Sequence, residues 1–342
     1  MNKTRRNIAS ITALAVLAAV PTTIAIIHEG FPVTDVDLQA RNVWVTNAEQ
    51  LLAGRLNRQI EELEASVPAS TSAVDVLQDG RNVLLYDPTL GSIDRIDPAF
   101  LTLTERAEVA PGSEVAFGAT SLAVLNPETG QLWVTEISNG LLLDLAAEAP
   151  ALEELGEGAR VAVSTSGQIF ATSPEQQAVY RIESPGAKPE KTEIAEFGAH
   201  QLSTVGETPV ILDTADNRVL AGSTSIELPE PGLKLQQSGP ENDVALVASG
   251  SGLLEVPLGG GEVGVLGADI AAPISDPDAV SKPVYLQECA HGAWAGAQRY
   301  LVQCGDDAPE AVDIPNATVG STLEFRVNKK VIALNNLTNG DV

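Results

Sequence analysis

Two cysteines and three histidines are the side chains with the most chemistry to offer, and their spacing decides what kind. Cys289 and Cys304 bracket the run His291-Gly-Ala-Trp-Ala-Gly296-Ala297-Gln-Arg-Tyr-Leu-Val-Gln303. A two-residue II′ turn at Gly296-Ala297, with glycine supplying the positive φ, would fold this run into a hairpin and set Cys289 opposite Cys304. Residues directly opposed across two strands have Cα atoms about 5 Å apart, inside the disulfide range. A Cys289–Cys304 disulfide suits an oxidising compartment, whereas a redox or metal role finds no Cys-x-x-Cys to support it.

The histidines are scattered. A zinc site draws two or three His or Cys ligands at close spacing, and His28, His200 and His291 do not provide that. His28 belongs at a headgroup interface, His200 on a loop or blade edge, and His291 is the one in a chemically interesting stretch, with packing beside Trp294 the simpler role. There is no Gly-x-Ser-x-Gly elbow and no P-loop, and Gly259-Gly260-Gly261 reads as a tight turn between outer strands. Carboxylates number 46, so a glycosidase-like pair is conceivable, but abundance does not place two acids together. Trp44, Trp133 and Trp294 suit either sugar stacking or strand packing, and their matching phase in a repeat favours packing. No catalytic, metal or cofactor-binding residue is assigned from these patterns, and no cofactor is expected.

The elements that would have to position any site are visible as a repeat. Short apolar strands recur at Val43–Asn47, Val83–Asp87, Leu122–Asn126, Ile169–Ser173, Val210–Asp213 and Val331–Asn335, the first five starting 40, 39, 47 and 41 residues apart. Leu253–Val256 and Ala290–Ala295 lie near the places where two more are due. Asp87-Pro88, Asn126-Pro127 and Ser173-Pro174 follow three of these strands, and such pairs suit the first two positions of a type I turn. A return strand comes next (Ile93–Ile96, Leu132–Thr135, Val179–Ile182, Val219–Leu220). Another precedes each unit (Val36–Leu38, Val74–Val76, Val115–Phe117, Val161–Val163). Units of about forty residues built from short strands and tight turns are the signature of a β-propeller blade. One blade cannot bury both of its faces, but a ring of them can. The expected fold is all-β, a propeller of seven or eight four-stranded antiparallel blades preceded by one transmembrane helix.

Two stretches compete with that reading. Leu52, Leu56, Ile60 and Leu63 fall at helical spacing, although the repeat register makes Leu51–Asn57 and Ile60–Val67 outer strands. The Leu/Ala/Glu-rich insertion Leu141–Leu155 accounts for the single long interval and suits a short helix.

Before the repeat, Ile8–Ile27 is a run of twenty residues without a charge. At about 1.5 Å per helical residue it matches a bilayer's hydrocarbon core. Lys3, Arg5 and Arg6 precede it and Glu29, Asp35 and Asp37 follow, so the positive-inside rule puts residues 1–7 in the cytoplasm and residues 28–342 outside the cell membrane. An uncleaved signal anchor is the reading adopted. The competing ones are a cleaved signal peptide, a twin-arginine signal at Arg5-Arg6 and a buried helix. The formal net charge of −26 repels nucleic acid and anionic headgroups. Calcium would need an Asp-x-Asp-x-Asp-Gly loop that is not there.

The stretch Val20–Leu38 (VPTTIAIIHEGFPVTDVDL), together with Val43–Asn47, Gly54–Ile60 and Cys289–Gly296, resembles a family of large actinobacterial envelope proteins described as fibronectin type III or Ig-like domain-containing. In that family a membrane anchor precedes a propeller-like region and tandem modules follow it. The resemblance therefore implies that the chain, which stops where the repeat calls for a third strand of the unit beginning near Leu323, is a fragment of something longer. It carries no site residues with it. The expected role is a non-catalytic surface module for adhesion, scaffolding or partner binding. Its partners would be a protein or a cell-wall glycan, with the lipid bilayer contacted through residues 8–27. The competing role is a carbohydrate-active hydrolase or lyase that uses carboxylates in the propeller channel.

Overall fold

The structure, a computed structural model, describes residues 42–57, 60, 62–137, 145 and 148–342. The expected anchor at 8–27, the strand at Val36–Leu38, His28 and residues 141–144, 146 and 147 of the insertion lie outside the described residues. Among the described residues no helix is long and apolar enough to cross a membrane.

Short strands dominate. In chain order the first sheet is Asn42–Asn47, Leu52–Asn57 and Glu62–Pro68 (β1–β3). The second is Asp75–Asp79, Asn82–Asp87, Ser92–Asp97 and Thr102–Glu108 (β4–β7). Three strands follow, Glu114–Gly118, Ser121–Asn126 and Gln131–Glu136 (β8–β10). The next sheet is Arg160–Val163, Ile169–Ser173, Ala178–Ile182 and Glu190–Glu193 (β11–β14). After it come His200–Val205, Thr208–Asp213, Arg218–Ala221 and Thr224–Glu227 (β15–β18). Gly232–Leu235, Val244–Ser249, Gly252–Pro257 and Gly264–Gly267 form β19–β22, and Val284–Leu286, Cys289–Trp294, Arg299–Cys304 and Glu310–Asp313 form β23–β26. Leu323–Asn328 and Val331–Asn336 complete the set as β27 and β28.

Within each sheet consecutive strands pair antiparallel, and the burial pattern explains the sequence repeat. Second strands such as β5 and β9 are buried along nearly their whole length, because a neighbouring sheet covers each face. That is why they read as continuous apolar runs instead of alternating ones. The outermost strands β7 and β14 are mostly exposed and carry the Thr, Glu and Lys residues. The turn chemistry holds too. Asp87 Oδ1 accepts from Thr89 and Leu90 N–H, both at 3.0 Å, and Asn126 Oδ1 accepts from Glu128 N–H at 3.0 Å.

Apolar clusters join one sheet to the next. Leu84 and Ile93 meet Leu122 and Val124, Leu125 meets Val161 and Ile169, and Phe170 meets Ile211 and Leu220. Leu212 then packs with Val247, Leu246 with Trp294, Ala293 with Phe325, and Trp44 with Val83. This is a β-propeller. Seven innermost strands, β4, β8, β11, β15, β19, β23 and β27, line its central channel, so the ring is seven-bladed and its complete blades are four-stranded and antiparallel.

The ring closes in an unusual way. The sheets β27–β28 and β1–β3 abut without a ladder, and the contact is polar where every other is apolar among the described residues. Asn335 accepts from Thr46 N–H (2.9 Å) and donates to Thr46 C=O (3.1 Å). Asn328 donates to Asn42 C=O at 3.0 Å on the same side, and from the next blade Gln78 of β4 brackets Trp44 in the same way, at 2.8 and 3.0 Å. These amides bond to the inner edge of β1. Backbone bonds from Ala48 N–H to Leu337 C=O and from Glu49 N–H to Thr338 C=O tie the same seam.

Several expectations need correction. Gly296-Ala297 does not form a II′ turn: Ala295–Ala297 is a single 3-10 turn, and Gln298 carries the positive φ of 55°. The loop is four residues long, but because it grew symmetrically the register is unchanged and Cys289 still faces Cys304. Leu253–Val256 belongs to the third strand of its blade, the second being β20. The helical spacing from Leu52 to Leu63 resolves as β2 and β3, as the repeat register required. The described part of the insertion, 148–155, is not helical; Leu152 bridges Leu132 beside β10, where other blades have a fourth strand.

Candidate functional site

The channel is where residues far apart in sequence come together. Each innermost strand pairs on one side only and turns its other edge to the axis, and the enclosed cavity measures about 780 Å³. Neighbouring blades seal part of that free edge with side chains. Gln201 of β15 accepts from Leu235 N–H (2.9 Å) and donates to Leu233 C=O (2.8 Å) on β19, and Glu114 of β8 accepts from Val161 N–H of β11 at 3.1 Å.

Among the described residues four carboxylates line the cavity, Asp75, Asp79, Glu114 and Glu324, and each is ion-paired. Arg326 takes Asp75 and, at 3.4 Å, Glu324. Lys329 takes Asp79, and Arg160 reaches Glu114 at 3.6 Å. Burial pushes Glu114 and Glu324 above the usual carboxylate range, while Arg160 and Arg326 respectively pull them back. Burial opposes the charge on Arg326, but Asp75 and Glu324 outweigh it and hold the guanidinium protonated. Lys234 and Lys282 complete the charged lining, giving five cations against four anions in a chain whose net charge is −26.

Neither described histidine joins this set. His200 is not an edge residue: it opens β15, buried, with Nε2 2.7 Å from Thr172 Oγ1 and Nδ1 2.9 Å from Gly198 O. His291 packs between blades, with Nδ1 2.8 Å from Tyr300 Oη and Phe325 close to both rings. Burial alone lowers its pKa to about 4, so it is neutral at pH 7. The tryptophans are structural: Trp44 and Trp294 are buried in blade cores, and Trp133 donates to Glu148 C=O at 3.1 Å. Cys289 and Cys304 form the expected disulfide at the outer end of the β24–β25 hairpin, away from the cavity lining. Among the described residues no group of three or more His, Cys, Asp or Glu is arranged to hold a metal ion.

The charged lining is what the sequence reading missed. Its signal was present, since Asp75, Glu114, Arg160, Gln201 and Lys234 each stand at or near the start of the first strand of a unit. In sequence they look like ordinary solvent-facing positions. Only the ring makes them converge.

The sequence matches no protein-family model and no curated protein. Solved structures do match. The chain is similar to the dihydro-heme d1 dehydrogenase NirN, with 13% identity and a TM-score of 0.61 over 90% of this chain and 70% of that one. It is similar to BamB from Moraxella catarrhalis, with 10% identity and a TM-score of 0.57 over 89% and 92%. A virginiamycin B lyase from Staphylococcus aureus aligns at 11% identity and a TM-score of 0.50 over 79% and 94%. At such identities the likeness is one of fold. It fixes the class, a β-propeller whose relatives in shape include both enzymes and non-enzymes.

Proposed function

We propose that the protein is a non-catalytic cell-envelope module, displayed outside the membrane on the N-terminal anchor and binding a partner or glycan through its propeller. The observation that supports this most is the state of the channel carboxylates. All four are ion-paired, and the two described histidines are packed away from them, so no acid and base stand ready at one point. The disulfide fits an oxidising compartment, as an extracytoplasmic domain requires. The resemblance to membrane-anchored actinobacterial envelope proteins points the same way, as does a neighbour in shape such as BamB. A second reading, a carbohydrate-active hydrolase or lyase, draws support from the four carboxylates in one cavity and from the burial that raises Glu114 and Glu324.

Immobilised full chain, incubated with fragmented envelope polysaccharide, tests the two readings. Retention of glycan with its chain length unchanged by mass spectrometry is the expected outcome. Shortened or unsaturated products that disappear in Glu114→Gln or Glu324→Gln would replace the module with the enzyme.

A further inference from the structure

The charged residues at the channel are not evenly mixed. Going round the ring, Arg160 of β11, Gln201 of β15, Lys234 of β19 and Lys282 just ahead of β23 follow one another with no carboxylate among them. The opposite arc, on β27, β4 and β8, holds Glu324, Asp75 and Glu114 together with Arg326. The two arcs lie close enough for Lys282 to act electrostatically on both Glu114 and Glu324, and for Lys234 to act on Glu324.

The arcs differ in how fully they are engaged. Arg326 is buried and bound to two carboxylates and to Thr46 Oγ1. On the basic arc, Arg160 is 3.6 Å from Glu114 and Lys234 is 3.5 Å from Asp278, itself 90% exposed. Lys282 is exposed and has no ion pair or hydrogen bond among the described residues. Three loosely held cations therefore face a cavity in a protein whose acids outnumber its bases 46 to 20. Such a cluster repels itself unless an anion joins it, and an ammonium or guanidinium meeting a carboxylate or phosphate makes the stronger, charge-assisted kind of hydrogen bond. The carboxylates on the other side, though each is ion-paired, keep lone pairs that can accept, which suits a ligand with hydroxyl donors. The volume is that of an ordinary small-ligand site.

We propose that this end of the channel binds an acidic saccharide, its anionic group on the Arg160–Lys234–Lys282 arc and its hydroxyls donating to the carboxylates opposite. The proposal rests on the reading of the protein as a ligand-binding module and gives that ligand a chemical class. Its anion is a uronate carboxylate or a phosphate ester, and the two are separated by experiment.

Isothermal titration of the full chain in detergent with trigalacturonate, glucose 6-phosphate and neutral maltotriose provides the test. At least one acidic sugar should bind, maltotriose at least about tenfold more weakly, and the tighter acidic sugar identifies the anion. Lys282→Gln and Lys234→Gln should each weaken acidic-sugar binding about tenfold, the loss expected for one charge-assisted bond. Added NaCl should weaken it too. Lys282 makes no ion pair or hydrogen bond among the described residues, so Lys282→Gln should fold normally, with a melting temperature close to that of wild type. Equal binding of maltotriose, indifference to both substitutions, or no binding of any of the three overturns the proposal. Mass spectrometry of the recovered sugar keeps the two readings apart. Sugar bound but cleaved leaves this site standing and removes the non-catalytic reading. No binding removes this site and leaves the module reading to the polysaccharide retention experiment.

Discussion

His291 shows how a residue with catalytic potential can be spent on packing. It lies against Tyr300 and Phe325, and burial alone lowers its pKa to about 4. In the unfolded chain the value returns to about 6.5, so the unfolded state binds the extra proton between those limits. The stability linked to His291 is therefore complete above pH 6.5 and falls as the pH drops toward 4. The loss is on the order of 3 kcal/mol, the shift multiplied by the energy of one pKa unit. Urea denaturation at pH 7 and pH 4.5 should show this loss, and His291→Gln should show a smaller difference between the two. An identical pH dependence in the variant would mean that the carboxylates account for all of it. Asn335 is the other residue with an outsized role. Asn335→Ala strips Thr46 of both backbone partners inside a buried contact, at an expected cost of about 1–3 kcal/mol per orphaned group. A urea midpoint like that of wild type would show that water replaces the amide without penalty.

At the scale of the element, the disulfide tests how far the β24–β25 hairpin depends on its cross-link. Closing a loop of 15 residues contributes about 3 kcal/mol in the chain-entropy model. Reduction should lower the urea midpoint accordingly, and Cys289→Ser should match the reduced protein. This hairpin also marks where the sequence is legible and where it is not. The pairing of Cys289 with Cys304 depends only on register, which survives a change of turn from two residues to four. The turn itself did not follow from its glycine, because Gln298 took the left-handed position instead. Second strands and the Asx-Pro turns are readable because both faces of the strand are apolar and the turn bonds are local. The helical spacing of Leu52, Leu56, Ile60 and Leu63 misleads only when β2 and β3 are taken without the neighbouring units. The basic arc was readable only through the repeat register. Arg160, Lys234 and Lys282 are separated by 74 and 48 residues, and nothing local says they share a cavity.

For the whole molecule, a net charge of −26 means that the folded ring works against its own repulsion. Salt screens such repulsion over roughly 10 Å at 0.1 M. The melting temperature should therefore rise between 10 and 300 mM NaCl, even as acidic-sugar binding weakens. A fall would mean that the channel ion pairs outweigh the surface field. The seam between β28 and β1 carries a different consequence. Apolar joints part only by exposing oil-like surface to water, whereas this one parts by trading the Asn335 amide for solvent molecules that bond as well. Breathing of the ring should therefore begin there. In deuterium exchange, Thr46 N–H, held by Asn335, should be replaced well before Val124 N–H in the centre of β9, although both residues are buried. A propeller is usually pictured as an evenly closed wheel; the rim of this one should give way first at a single polar joint.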